Sequence, residues 1–207
     1  GVIGLDRQAR QVTVQGGIRY GDLGPWLHER GFALANLASL PHISVAGATA
    51  TATHGSGTKV KNLANAVAAI EFINSDGDLV TLSREADPEV FAGAAVHLGA
   101  LGVVTTMILD VVPAFEVRQD LFLDLTAADL AANFDAIMGC GYSVSLFTPW
   151  TEERIQQVWV KNIAGDFAPP AGLARARAAV EKMHPISGID PVNCTDQLGL
   201  AGPSYDR

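Results

Sequence analysis

From Ala38 to Gly57 the chain reads ASLPHISVAGATATATHGSG, a run built mostly of Gly, Ala, Ser and Thr that contains no Asp, Glu, Lys or Arg. Side chains this small let another group approach the backbone closely. Consecutive backbone N–H groups in turns can form anion-binding concavities, and the hydroxyls of Ser44, Thr51 and Thr53 add donors without adding charge. A pyrophosphate needs that combination. The same composition also suits a tightly packed internal turn, so the residues alone leave both readings open.

A chain of 207 residues with 48% hydrophobic and 17% charged residues can bury a core, so disorder and fibrous classes are excluded. Composition shifts near Pro113. The half before it is rich in Ala, Gly, Thr and Val, whereas most Phe and two of the three Trp residues follow it. A net charge of -8 and the lack of a Lys/Arg cluster argue against a phosphate-backbone partner such as nucleic acid. Cys140 and Cys194 are too few for a disulfide framework, which points to a cytoplasmic compartment. No signal peptide is visible in GVIGLDRQAR. The uncharged stretch Val90–Leu109 approaches membrane-spanning length, but Gly99 and Gly102 divide it into a helix and a β-branched strand, so no membrane span is expected.

Periodicity predicts a half-buried strand over Arg10–Gln15, then a short helix through Asp22 and Trp26 that Gly31 caps. Phe32–Ala38 reads as extended and buried. Ala66–Asn74 and Leu79–Leu82 flank Ser75-Asp76-Gly77-Asp78, the pattern of a β-hairpin. Asp87-Pro88 opens a helix that runs to Gly99–Gly102, before a strand over Val103–Val112. Beyond Pro113 the expected order is strand Glu116–Leu125, helix Thr126–Met138, and strands Tyr142–Phe147 and Arg154–Asn162. A basic helix-like stretch around Arg175 and Arg177 follows. The expected fold is α/β (α+β), with residues 1–112 as one domain and 113–207 as the start of a second.

Several chemistries are excluded by motif. Gly55-Ser56-Gly57-Thr58-Lys59 lacks the P-loop order, and no GxGxxG follows a strand. Ser56 sits in HGSGT and not GxSxG, so the nucleophile elbow of α/β-hydrolases is missing. His42 and His54 lack metal-ligand spacing, so no metal site is expected. Trp150 and Trp159 read as core residues, with a cleft lining as the alternative.

The run at Ala38–Gly57, together with LGALGVVT at Leu98–Thr105, YSVSLFTPW at Tyr142–Trp150, and the later EKMHP, VNCTDQ and GPSYDR segments, resembles the alditol and xylitol oxidases of the vanillyl-alcohol-oxidase-type flavoprotein superfamily. The resemblance covers nearly the whole chain. It implies the second part of a two-subdomain FAD-binding domain, followed by the beginning of an α+β cap domain that carries the substrate site. It assigns FAD contacts to Ser44, Gly47, Thr51, Ala52, Thr53 and His54, and the adenine end to the backbone of Val103 after Gly102. Ser39 matches a serine where flavin and polyol substrate meet, and so is expected to touch both. Ala35 stands where the family usually has Pro, and Ala52 where a Gly is common in the THG-type turn. A positive φ at Ala52 would penalise its methyl group.

The resemblance further implies a covalent flavin–histidine bond made from a GSGHS-type segment upstream of residue 1. It also implies further substrate-positioning side chains beyond Arg207, so this stretch alone is expected to be inactive. The activity it implies is oxidation of a polyol's terminal carbinol with O2 as acceptor, giving hydrogen peroxide. A sugar-1,4-lactone oxidase or dehydrogenase of the same fold is the alternative. A non-catalytic nucleotide-binding or structural module is the alternative of another class.

Overall fold

In the computed structural model, which describes residues 1–206, Val12 and Val14 point inward from β2 (Gln11–Gln15) with no exposed surface, while the residues between and beside them face outward. That alternation is what period-two patterning demands of a half-buried strand. β2 pairs with β1 (Val2–Asp6) on one side. The chain then forms α1 (Tyr20–His28), whose buried Leu23 and Leu27 lie on one face, and Gly31 ends the turn at φ +81.

Phe32–Ala38 does not stay extended as the sequence suggests. Only β3 (Phe32–Ala33) pairs before the backbone bends, where Asn36 accepts from Leu37 N–H in its own loop and donates to Lys61 O further along the chain. After α2 (Val45–Ala50) come β4 (Val67–Ile73) and β5 (Leu79–Ser83), joined by the expected hairpin. Asn74 Oδ1 accepts the N–H groups of Asp76 and Asp78 there, and Gly77 supplies φ +85.

α3 (Pro88–Ala94) is shorter than its sequence suggests, and Asp87 makes no side-chain cap. Its extension fails because Leu98 N–H donates 3.0 Å to Ala50 O and Leu98 and Gly99 take positive φ. β6 (Val103–Asp110) and β7 (Val112–Pro113) complete this part. The sheet order is β1-β2-β6-β4-β5, antiparallel throughout, so β6 is its central strand. Leu23, Leu27, Val45, Val67, Ile70, Met107 and Leu109 fill the core beneath it.

The chain divides into two compact units, residues 1–55 with 61–114, and residues 56–60 with 115 onward. The second is built on β8 (Glu116–Thr126), whose chain continues through α4 (Ala127–Ala132) and α5 (Phe134–Met138). Thr126 caps α4 by accepting from Asp129 N–H. The single helix expected over Thr126–Met138 is broken at Asn133, whose φ of -132 and ψ of 22 leave the helical region and whose side chain donates back to Asp129 O. β9 (Ser143–Phe147), β10 (Arg154–Ile163), β11 (Arg177–Ala178) and β12 (Gly202–Pro203) follow. Their order is β11-β8-β10-β9, with β12 also on β8.

The basic stretch is not an α-helix. Arg175 ends a 3-10 turn and Arg177 starts β11, each arginine drawn to a carboxylate, Asp129 and Asp124 respectively. Trp150 is not core either: it is 90% exposed at φ +61 in the β9–β10 turn. Trp159 is half-buried against Phe147, ring centroids 5.1 Å apart. The Val90–Leu109 stretch divides among α3, the turn and β6, and no helix among the described residues is long and apolar enough to cross a membrane. Arg207, the last residue of GPSYDR, lies outside the described residues.

Candidate functional site

The small-residue run folds around α2. Ser44 precedes it in an extended conformation, and its Oγ accepts Gly47 N–H at 3.2 Å, the geometry of a serine N-cap. Ser44 is held from the other side by a bridge to Arg19, in which Val45 N–H donates to Ile18 O and Tyr20 N–H to Ile43 O. The helix buries Val45, Ala48 and Thr49 and leaves Gly47 exposed. Because Ala and Gly carry little bulk, its outward face is mostly backbone.

The end of α2 is a Schellman motif. Thr53 N–H donates to Ala48 O and Ala52 N–H to Thr49 O, while Ala52 takes φ +56, the left-handed region that glycine ordinarily fills. The penalty anticipated for Ala52 is therefore real. Substituting Ala52→Gly is expected to stabilise the protein by about 1 kcal/mol, since only the methyl group is strained there. A thermal melt should rise by about 2–4 °C, and an unchanged or lowered midpoint would show that Ala52 packs usefully.

This cap also corrects how the run presents donors. The amides of Ala52 and Thr53 close the helix and are not free for an anion. Thr51 Oγ1 donates to Gly47 O and lies 3.3 Å from Thr53 Oγ1, which ties those hydroxyls together at the surface. The backbone N–H groups of His54 and Gly55 donate to nothing among the described residues, and Ala46, in the first helical turn, has no helical acceptor. His54 is exposed, with Nδ1 2.9 Å from Gly55 O. Uncharged N–H and O–H donors on an exposed, unbranched backbone with no carboxylate in the run fit a pyrophosphate group.

Gly102 and Val103 open β6. Gly102 has φ +133 and packs its Cα directly on the end of β4, where an added Cβ would fall 2.0 Å from Ile73 O. Val103 pairs opposite Ile73 and is 72% exposed, so its backbone is reachable. The Leu98–Ala50 hydrogen bond ties the turn before Gly102 to the end of α2. His97, in that turn, accepts Gly99 N–H on Nδ1, and burial lowers its pKa, which favours the neutral ring needed for that bond. Ser39 stands apart in the exposed loop before α2, with no hydrogen bond among the described residues. Among the described residues no group of His, Cys, Asp and Glu side chains could hold a metal ion.

Residues 1–83 match the protein-family model described as FAD binding domain. Together with the antiparallel α+β fold and the donor-rich α2 segment, this makes the chain an FAD-binding flavoprotein, and its cofactor is FAD. Within that class it fits the vanillyl-alcohol-oxidase type, being 45% identical over 203 residues, 98% of its length, to alditol oxidase of Streptomyces sp. strain IKD472. L-gulonolactone oxidase of Mus musculus is 36% identical over 65% of the chain, and L-gulono-1,4-lactone dehydrogenase of Mycobacterium tuberculosis is 36% identical over 57%. The chain spans 48% of the alditol oxidase and 30% of the gulonolactone oxidase. A solved structure of cholesterol oxidase from Brevibacterium sterolicum shares the fold, with a TM-score of 0.67 over 80% of this chain and 34% of its own, at 20% identity.

Proposed function

We propose that the intact protein carrying this chain is an alditol oxidase, acting on the terminal CH–OH of polyols such as xylitol or sorbitol with O2 as acceptor and hydrogen peroxide as product. The observation that carries the reading is the 45% identity to alditol oxidase across 98% of the chain. Bound FAD supplies the hydride-accepting chemistry. What this chain contributes is grip and orientation. Ser44 and Gly47 set the start of α2, Thr51, Ala52, Thr53 and His54 form the surface at its end, and Gly102 with Val103 offers backbone for the adenine end. We assign the substrate contact on this unit to Ser39, whose exposed hydroxyl is unengaged.

The same matches support a second reading, a sugar-1,4-lactone oxidase or dehydrogenase, because proteins with those activities also align with more than half of the chain. Oxygen uptake by the intact flavoprotein separates the two. Alditol oxidase activity predicts uptake with xylitol and sorbitol and little with aldono-1,4-lactones, with hydrogen peroxide formed in equal amount. Uptake with lactones alone would transfer the assignment to the lactone oxidase of the second reading, and uptake with neither, together with no reduction of an artificial electron acceptor by lactones, would end both. A cytoplasmic location is proposed with it, since Cys140 and Cys194 are both free thiols.

A further inference from the structure

Ile18 and Tyr20 are buried in the core of the first unit, 5% and 4% exposed, and Arg19 between them is exposed. That alternation turns the Arg19 side chain away from the core. Opposite lies Ser44, itself flanked by Ile43, which packs on the same core, and by Val45, which has no exposed surface. Tyr20 N–H donates to Ile43 O and Val45 N–H to Ile18 O, one residue to either side of the bridge, so Arg19 and Ser44 form a non-hydrogen-bonded antiparallel pair. In such a pair the two Cβ atoms lie about 4.5–5.5 Å apart and both side chains leave by the same face.

The Arg19 guanidinium is unengaged: it makes no ion pair and donates no hydrogen bond among the described residues. Asp22, its nearest acidic neighbour in sequence, stands in the first turn of α1 and does not pair with it. Other arginines of this unit are occupied. Arg7 lies over Phe32 and donates to Arg30 O, Arg30 lies over Trp26 and meets Glu29, and Arg84 pairs with Asp110. Arg10 is exposed as well, but it precedes β2, whereas Arg19 follows that strand and reaches the small-residue run. Little bulk surrounds the pair, since Gly17 and Gly21 flank Arg19 in sequence and Ser44 Oγ holds Gly47 N–H.

We infer that Arg19 is the cation of the FAD surface, its guanidinium donating to diphosphate oxygens beside Ser44 and Gly47, which rests on the assignment of FAD to the α2 segment. The run from Ala38 to Gly57 offers only uncharged donors, so nothing within it balances the negative charge of a diphosphate. A planar guanidinium supplies that charge together with paired N–H donors, and it sheds water more readily than an ammonium group does. The run fixes where the diphosphate sits, and Arg19 adds the attraction that holds it. Since Arg19 contributes nothing to the core, replacing it leaves the fold intact.

The test is titration of FAD into the intact protein made without flavin, followed at mixing by quenching of flavin fluorescence. Arg19→Met should weaken FAD about tenfold or more, whereas Arg19→Lys, which keeps the charge and loses the fork, should cost about threefold. Rising ionic strength should weaken FAD binding more steeply in the parent than in Arg19→Met, where the charge that salt screens is gone. Arg10→Gln removes a comparable charge before β2 and should change the affinity by less than about twofold. All three variants should melt within about 2 °C of the parent. Affinity within about twofold of the parent in Arg19→Met, an equal loss in Arg10→Gln, or one salt dependence shared by Arg19→Met and the parent would overturn the role of Arg19. If Thr51→Asp with Thr53→Asp loses FAD in the same titration while Arg19→Met keeps it, the α2 surface stands without this arginine. If both bind FAD as the parent does, the surface and the arginine fall together.

Discussion

Gly102→Ala is expected to lower stability by about 3 kcal/mol or more, because two separate penalties coincide at this position. The backbone sits at φ +133, which side chains rarely adopt, and the new Cβ would meet Ile73 O at 2.0 Å and Ile73 C at 2.9 Å. Those are main-chain atoms at the end of β4, inside the hydrogen-bonded ladder with β6, so no rotamer change relieves the overlap. Either β6 starts later or β4 shifts, and both outcomes disturb the central strand of the first sheet. The melting temperature should drop by about 6–12 °C. Flavin content should fall with it, since Val103 would move. A variant that melts within about 2 °C of the parent would show that the strand end yields freely.

The second large effect is expected from Thr51→Asp combined with Thr53→Asp. These hydroxyls lie 3.3 Å apart at the end of α2, on the surface assigned to FAD. Two carboxylates there would oppose the pyrophosphate charge and find no cation in the run from Ala38 to Gly57. Flavin bound per protein should fall about tenfold or more. Acidic side chains at a helix C-terminus also cost stability, about 0.3–1 kcal/mol each, so circular dichroism must confirm that the variant is folded. Thr51→Ser with Thr53→Ser should keep the flavin. Equal flavin in the acidic variant and the parent would place the pyrophosphate elsewhere.

Much of both units is visible in local sequence. Val12 and Val14 announce β2, Asn74 to Asp78 the hairpin, Gly31 the end of α1 and Thr126 the start of α4, because each depends on neighbours within a few residues. The small, uncharged run around α2 is equally plain as a close-approach backbone. What local pattern does not reveal is which of its amides remain available. Ala52 and Thr53 are consumed by a Schellman cap, and only the departure from glycine at Ala52 hinted at that geometry.

Other features depend on distant partners. Ser56–Val60 goes with the second unit because Ser56 O accepts Val144 N–H and its hydroxyl meets β9, across a separation of 87 residues. Arg19 looks like an ordinary exposed position before a helix. It comes beside Ser44 only once residues 18–20 pair with residues 43–45. Arg175 and Arg177 suggested a basic helix, and Asp129 and Asp124, far back in the chain, drew them into a 3-10 turn and a strand instead.

The assignment of FAD to the α2 segment is tested most directly by amide hydrogen exchange of the intact protein with and without its flavin. FAD should slow exchange in peptides covering residues 44–57 and 102–103, above all at Ala46, His54 and Gly55, whose amides have no acceptor among the described residues. Ala52 and Thr53, already bonded to helix carbonyls, should change less. Protection confined to other segments, with 44–57 exchanging equally in both states, would contradict the site.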